Sequence, residues 1–489
     1  MIDLAVRVEP ETCALLACGS IIGAMGKTSG ENTPSPWLTV VGIGEDGLAG
    51  LGEAAHLAVS QAWVLFGGAR HLAMVPRRAD RARRDAISME ENLLDQTRLD
   101  QATLDQDRID RKGLDENRLD QSRPDQSKSD QIRIEWPSPF SAAREKLLGY
   151  RGQPVVVLAS GDPMFHGVGA TLARWFDVGE MRVLPAASAA SLAAARLGWA
   201  LHRVRVIPAH REPLERVALY LAPAARLLVL SRDADTPAEL AELLVARGYG
   251  DSHLVRLEHL GGPEERILEG RARDWSHPPG AALNLMAVEC RADASIARLS
   301  RRAGLPDDAF AHDGQLTKRD MRAIVLARLA PGHGEQLWDV GAGCGSIGIE
   351  WLRAGSHCKA VAVESHPERC ALIRANRARL GVPELDLIEG RAPDTLTGLA
   401  APDAIFIGGG LTRPGVVDRC WEALKPGGRL VATAVTLESE LVLARLRQDH
   451  GGELIRVALA QAAPLGGFQS WEPARPLTLL CVSKVVEAH

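Results

Sequence analysis

The chain contains no C-x-x-C pair, no run of 18 consecutive apolar residues and no surplus of basic charge. Its eight cysteines, at positions 13, 18, 290, 344, 358, 370, 420 and 481, stand singly, which excludes a zinc knuckle, an iron–sulfur cluster or a disulfide framework. No metal is expected, and a reducing cytoplasm is the expected location. Without a long apolar run, no helix is expected to cross a membrane. The apolar stretch Cys13–Ala24 follows Asp3, Glu9 and Glu11 rather than a basic segment, so it does not read as a signal peptide. With 57 basic against 62 acidic residues the net charge is -5, and no global field exists to hold nucleic acid or an anionic membrane. A phosphate loop is missing too. "GAMGKTS" contains Gly26, Lys27 and Thr28, but Ile21 stands where the first glycine of G-x-x-x-x-G-K-[ST] belongs.

What is present is a globular composition, 46% apolar and 24% charged over 489 residues, enough for about two to four folding units. Residues 1–36 read as a loosely ordered extension. From 80 to 135 the sequence repeats every five residues, as in "LLDQTRLDQATLDQDRIDRKGLDENRLDQ", with Asp at 95, 100, 105, 110, 115, 120, 125 and 130. On a helix, a five-residue step turns the Leu and Ile positions by about 140°, so they form no apolar stripe. Nor does a small residue recur two places before each Leu, as a pentapeptide solenoid would require. The segment holds 11 basic and 15 acidic residues, so most of the net charge lies within it. It reads as a polar, disordered insertion at a surface loop rather than a docking element.

On either side the pattern is strand, glycine turn, helix. "WLTVVGIGEDG" (37–47) and "PVVVLASGDPMFHGVGATLARWF" (154–176) are apolar runs that feed glycine turns, and "RLLVLS" (226–231) and "AALNLMAVEC" (281–290) continue the first unit. After "GLPDDAF" a second unit begins with "QLWDVGAGCGSIGIEWLRAG" (336–355), "KAVAVES" (359–365), "DAIFIGGG" (403–410) and "RLVATAV" (429–435). Strands alternating with helices predict an α/β fold with largely parallel sheets and ligands at the carboxyl ends of the strands. The expected units span residues 37–300 and 301–489.

The strongest motif lies in the second unit. Gly341, Gly343 and Gly345 follow the strand "LWDV", where the absence of Cβ atoms lets backbone amides approach a ligand closely. Glu364 ends the next strand, 19 residues beyond Gly345, where an acid can accept hydrogen bonds from both hydroxyls of a ribose. Together they specify an adenosine ligand. The nicotinamide fingerprint G-x-G-x-x-G is not matched by G-A-G-C-G-S. Asp339 before the loop, with "FIGGG" and "LKPGGRLV" after it, resembles the S-adenosylmethionine methyltransferase pattern.

Segment 303–486 resembles the cobalamin-pathway family that methylates C-15 of a precorrin and decarboxylates its C-12 acetate arm. The likeness rests on "HDGQLTKRDMRA", "DVGAGCGSIGIEW", "AVESHPERCALIRAN", "EGRAPDTL" and "DAIFIGGG". The N-terminal half resembles the tetrapyrrole methylase family, specifically its C-5 precorrin methylases, on "VVGIGEDG", "ASGDPMFHGVGATL", "PAASAASLAAARLGW" and "LEHLGGPEERI". The fusion in this order is similar to the C-5,15-methyltransferases (decarboxylating) that act on precorrin-6B. The insert and "PAHREPLER" (208–216) depart from the family pattern.

This resemblance implies a two-lobed tetrapyrrole methylase domain followed by a Rossmann-like domain with an open, mostly parallel sheet. It implies one S-adenosylmethionine per domain, conversion of precorrin-6B to precorrin-8, and a homo-oligomer. The first cofactor site would comprise Gly42, Gly44, Gly161, Asp162, Pro163, Ser188, Met286 and Ala287. The second would comprise Thr317, Asp339, Gly341, Ala342, Gly343, Cys344, Gly345, Glu364 and Ala392, with His312, Lys318 and Arg413 as catalytic candidates that anchor substrate carboxylates. One alternative is a methyltransferase acting on RNA or protein. Amino-directed enzymes of that kind usually carry Asn/Asp-Pro-Pro-aromatic after the fourth strand, where this chain has "FIGGGLTRP". The other alternative is a non-enzymatic scaffold, against which the intact glycines count.

Overall fold

A computed structural model describes residues 36–77 and 131–485. The extension before Pro36 and residues 78–130, which hold most of the five-residue repeat, lie outside the described residues.

The first sheet consists of β1 (Leu38–Ile43), β2 (Val64–Gly67), β3 (Ile132–Glu135), β4 (Val155–Ser160) and β5 (Met181–Leu184) in the order β3-β2-β4-β1-β5. All its pairs are parallel. Its central strands are apolar on both faces because helices cover both. Val40, Phe66 and Val157 enter one core, and Val41, Leu65 and Leu158 the other. β3 shows that the last residues read as part of the repeat are an edge strand, with Ile132 opposite Val64. That strand is stapled in place. The Arg133 guanidinium donates to the carbonyls of Leu72, Val75 and Pro76 at 3.1, 2.6 and 2.8 Å. The Gln131 amide donates to those of Val59 and Ala62, both at 3.0 Å.

The second sheet is β6 (Arg205–Pro208), β7 (Arg226–Leu230), β8 (His253–Glu258), β9 (Arg266–Arg271) and β10 (Asn284–Glu289), ordered β6-β7-β10-β8-β9. Here the expectation of parallel strands holds only for β6 and β7, and the other pairs are antiparallel. The reason is the connections. A short link without a crossover helix joins β8 to β9, where a parallel pair would need a dozen or more residues to return, and β10 enters between β7 and β8, antiparallel to both.

The third sheet is β11 (Gln336–Val340), β12 (Lys359–Glu364), β13 (Asp386–Glu389), β14 (Ala404–Ile407), β15 (Arg429–Ala434), β16 (Glu453–Val457) and β19 (Leu477–Ser483). Their order is β13-β12-β11-β14-β15-β19-β16, with β19 antiparallel to both neighbours. The strand order reverses direction at β11, so the crevice outside the carboxyl ends of β11 and β14 is the topological switch point where open α/β sheets bind ligands. β17 (Ala460–Leu465) and β18 (Phe468–Pro473) form a separate two-stranded hairpin. Leu465, Phe468 and Trp471 on it are exposed.

The two halves touch where the Leu214–Leu219 turn meets the end of helix Pro367–Arg379. Arg216 pairs with Glu384, Arg247 Nε donates to the Arg379 carbonyl at 3.0 Å, and a Cβ on Gly381 would stand 2.9 Å from Leu219 N. Among the described residues, no helix is long and apolar enough to cross a membrane.

Candidate active site

β11 is driven into the sheet by Leu337, Trp338 and Val340, all buried, and it delivers Gly341 to the switch point. Gly341 has φ +70°, and a Cβ there would lie 2.7 Å from the Cα of Gly409 in the loop after β14. The two glycine loops therefore pack backbone on backbone. Gly343, at φ +60°, turns its N–H onto Glu364 Oε2 at 2.8 Å. Glu364 Oε1 accepts from Ser365 N at 2.8 Å and His366 N at 3.0 Å. Three backbone donors thus fix the carboxylate. An ionised carboxyl has about four lone-pair directions, so one remains for a ligand hydroxyl.

Asp339 lies behind the loop, fully buried. Its Oδ2 accepts from Gly348 N at 2.9 Å, while Oδ1 has no partner. Burial, reinforced by the nearby Glu364 charge, pushes its carboxyl up to about 7. Gly345, at φ +81°, caps helix Ser346–Ala354 from behind the same loop. Cys344 supplies backbone only, since burial raises its thiol to about 11.

The segment leading into helix Arg319–Leu329 is held by a buried ion pair. Arg322 Nε lies 2.6 Å from Glu350 Oε1, its Nη1 donates to Thr317 O at 2.5 Å, and Glu350 also accepts from Gly304 N and Leu305 N. Such a pair is tolerable in a dry core because its hydrogen bonds are made. It positions Thr317 at the rim of a cavity of about 1630 Å³.

Thr317, Lys318, Gly341, Ala342, Gly343, Cys344, Glu364, Ala392 and Arg413 all line that cavity. Arg413 Nη1 donates to Ala392 O at 3.3 Å, and Lys318 Nζ lies 4.0 Å from Asp307 Oδ2 with most of its side chain exposed. The structure does not bring His312 into this wall. It is exposed, and its Nδ1 accepts from Gly314 N at 3.0 Å, closing its own turn. Sequence reasoning missed Arg369, Arg391 and Arg475, which also face the cavity. Arg391 stood in the quoted "EGRAPDTL", directly beyond the end of β13, and that position was its signal. Arg475 follows the hairpin, and no local pattern marks it.

In the first unit, Gly42, Gly44, Gly161, Asp162, Pro163 and Ser188 gather at the carboxyl edge of β1, β4 and β5. Gly161 N donates to Ile43 O at 3.1 Å, and Ala186 N to Gly161 O at 3.3 Å. A Cβ on Gly42 would overlap Gly161 O. Asp162 Oδ1 accepts from Met164 N at 2.8 Å, and Ser188 caps helix Ala189–Leu197 by accepting from Ser191 N at 3.1 Å. Met286 and Ala287 are placed differently. They sit within β10, paired to β7 and β8, with Met286 buried in one core and Ala287 in the other. Beside this edge a polar cluster joins Glu45, Ser160 and His259, which stand in the quoted motifs, to Arg70 and His71, which no motif marked.

A glycine loop at a switch point, an acid at the end of the neighbouring strand and a cavity large enough for a nucleoside beside a second reactant define an S-adenosylmethionine-dependent methyltransferase. The residues present fit that cofactor, since Gly341, Ala342 and Gly343 line the cavity together with Glu364, which keeps a lone-pair direction free for a hydroxyl.

Comparisons with known proteins narrow this class. Residues 38–275 match the family of tetrapyrrole (corrin/porphyrin) methylases, and residues 308–484 match the precorrin methyltransferase domain. A precorrin-6Y C(5,15)-methyltransferase [decarboxylating] of Sinorhizobium sp is 44% identical over 444 residues, covering 91% of this chain and 95% of the relative. Its namesake in Mycobacterium tuberculosis is 39% identical over 451 residues, covering 91% and 100%. A cobalt-precorrin-6B C(15)-methyltransferase (decarboxylating) of Salmonella typhimurium is 33% identical over 174 residues, covering 35% of this chain and 89% of that one. The chain belongs to the precorrin-6Y C(5,15)-methyltransferase (decarboxylating) family.

Proposed function

We propose that the chain carries two methyl-transfer sites, each with its own S-adenosylmethionine. Residues 37–300 methylate C-5 of precorrin-6B, and residues 301–489 methylate C-15 and remove the C-12 acetate carboxyl, giving precorrin-8. The relatives' names support the two positions and the decarboxylation. The observation that carries the division is that two separate sheets each present a glycine-lined carboxyl edge, at Gly42–Gly161 and at Gly341–Gly409. A methyltransferase of RNA or protein is not favoured by this family.

S-adenosylmethionine supplies an electrophilic sulfonium methyl. The nucleophile is an electron-rich carbon of the macrocycle, so the protein's task is to align that carbon and exclude water. In the second site Glu364 and the Gly341–Gly345 loop orient the nucleoside, and Lys318 and Arg413 anchor substrate carboxylates at the cavity wall. When the acetate carboxylate leaves as carbon dioxide, its electron pair enters the conjugated ring, so the sink lies in the substrate. The enzyme works in the cytoplasm as a homo-oligomer, with the exposed hairpin Ala460–Pro473 as the contact surface.

Mass spectrometry of precorrin-6B incubated with cofactor tests this reading. The whole chain is expected to add two methyl groups and remove one carbon dioxide. Gly42→Val should lose one methyl gain only, and Gly341→Val should lose the other methyl gain together with the decarboxylation. If either variant abolishes both methylations while the fold persists, the division is wrong.

A further inference from the structure

The first unit holds five polar side chains outside the candidate cofactor residues, drawn from both of its sheets. Glu45 follows β1, Arg70 and His71 lie on helix Ala69–Ala73, Ser160 ends β4, and His259 follows β8. Arg70 is ion-paired with Glu45, whose Oε2 lies 3.0 Å from His259 Nδ1. Arg70 Nη2 donates to Ser160 Oγ at 2.9 Å and stands 2.9 Å from His71 Nε2. Ser160 Oγ and His71 Nε2 are 2.8 Å apart. A guanidinium can only donate, so its contact with Nε2 is bonding only when that nitrogen carries the lone pair. His71 is then the neutral tautomer with its proton on Nδ1. Burial, with Arg70 adding, pushes its pKa down to about 4, which keeps it neutral. An exposed serine hydroxyl, one residue before Gly161 and opposite Ile43 in the sheet, therefore shares the single Nε2 lone pair of His71 with Arg70 Nη2, while the buried Nδ1 has no partner.

We infer that Ser160, backed by His71, accepts the proton released when the first site replaces hydrogen by methyl on the substrate carbon. This rests on the C-5 reading above. As the ring carbon bonds to the methyl, the S–CH3 bond breaks with its electron pair going to sulfur, leaving S-adenosylhomocysteine and a cationic macrocycle. The C–H bond at that carbon then breaks and its pair rejoins the ring π system. The proton passes to Ser160 Oγ while the Ser160 O–H proton passes to His71 Nε2. A weak base suffices because the departing proton leaves a cation. The imidazolium beside Arg70 is unfavourable, so it returns its proton through Ser160 to water. Glu45 and His259 are positioning residues that hold Arg70 from both sheets.

The test uses the whole chain, whose C-15 methylation and decarboxylation report on folding. Ser160→Ala and His71→Ala are expected to slow C-5 methylation at least about 100-fold, the lower range for a positioned acid or base. C-15 methylation and calorimetric cofactor binding should stay unchanged, and added imidazole should partly restore His71→Ala. Nitrogen-15 resonances of labelled histidine, assigned by difference against His71→Ala, should show His71 neutral with its lone pair on Nε2. A wild-type C-5 rate in both variants overturns the proposal, as does loss of cofactor binding along with the rate or a protonated His71 near neutral pH. If the unmodified chain itself leaves C-5 unmethylated, the fault lies with the C-5 reading instead.

Discussion

Replacing Asp339 by Asn should make the stability of the second unit gain on wild type as the pH rises from 4 to 8. In the folded chain the Asp339 carboxyl is raised from 3.8 to about 7 by burial, although Gly348 N–H hydrogen-bonds to its Oδ2. A carboxyl whose folded pKa is raised contributes no penalty below its unfolded value. As pH climbs from about 4 to 7 the unfolded chain ionises first, and stability is lost until the folded carboxyl ionises too. Three pKa units at about 1.4 kcal/mol each put that loss near 4 kcal/mol as an upper bound. Asn cannot ionise, and its amide oxygen can still accept from Gly348 N. Its amide nitrogen takes the place of Oδ1, which has no partner. Leaving that group unpaired costs about 1–3 kcal/mol, independent of pH. The quantity to read is therefore the pH dependence of the difference. Hydrogen exchange of peptides spanning 336–354, corrected for intrinsic rates, should show the variant gaining protection over wild type between pH 5 and pH 8. An equal difference at both pH values would refute the account of this buried acid.

Gly341→Ala places a Cβ 2.7 Å from the Gly409 backbone at a φ of +70°, where the left-handed conformation alone costs about 1–2 kcal/mol, and should cut C-15 product formation at least tenfold while C-5 methylation persists. Glu350→Ala leaves the fully buried Arg322 with only the partly exposed Asp307 as a carboxylate partner and should destabilise the second unit by about 3 kcal/mol, seen as a lower unfolding midpoint in urea. The double variant Phe468→Ser, Trp471→Ser removes the most exposed aromatic surface of the hairpin and should lower the mass measured by light scattering without abolishing C-15 methylation. An unchanged mass would remove the hairpin from the assembly proposal.

The second site was legible because its chemistry depends on backbone, and backbone demands are written locally. Gly341, Gly343 and Gly345 each adopt positive φ, and Glu364 receives the Gly343 amide, so spacing along the chain foretold contact in space. Arg391 and Arg475 reach the same cavity from distant segments, and a lone arginine carries no period or turn signal. The first sheet followed from its alternation of strands and helices. The antiparallel pairing of β8 with β9 and with β10 did not, because apolar runs such as "LNLMAV" suit either direction. His312 shows the converse. It stands within a motif, yet its side chain closes a turn instead of lining the cavity.

The staple at β3 bears on how this chain can vary. Arg133 and Gln131 fasten the returning strand to carbonyls of residues 59–76, so both ends of the connection are fixed by contacts that do not involve residues 78–130. The pairing of β3 with β2 therefore rests on residues 59–76 and 131–135 and does not depend on how many five-residue units the sequence holds between them. The edge of the first sheet is a place where sequence can accumulate without the methyltransferase paying attention to it.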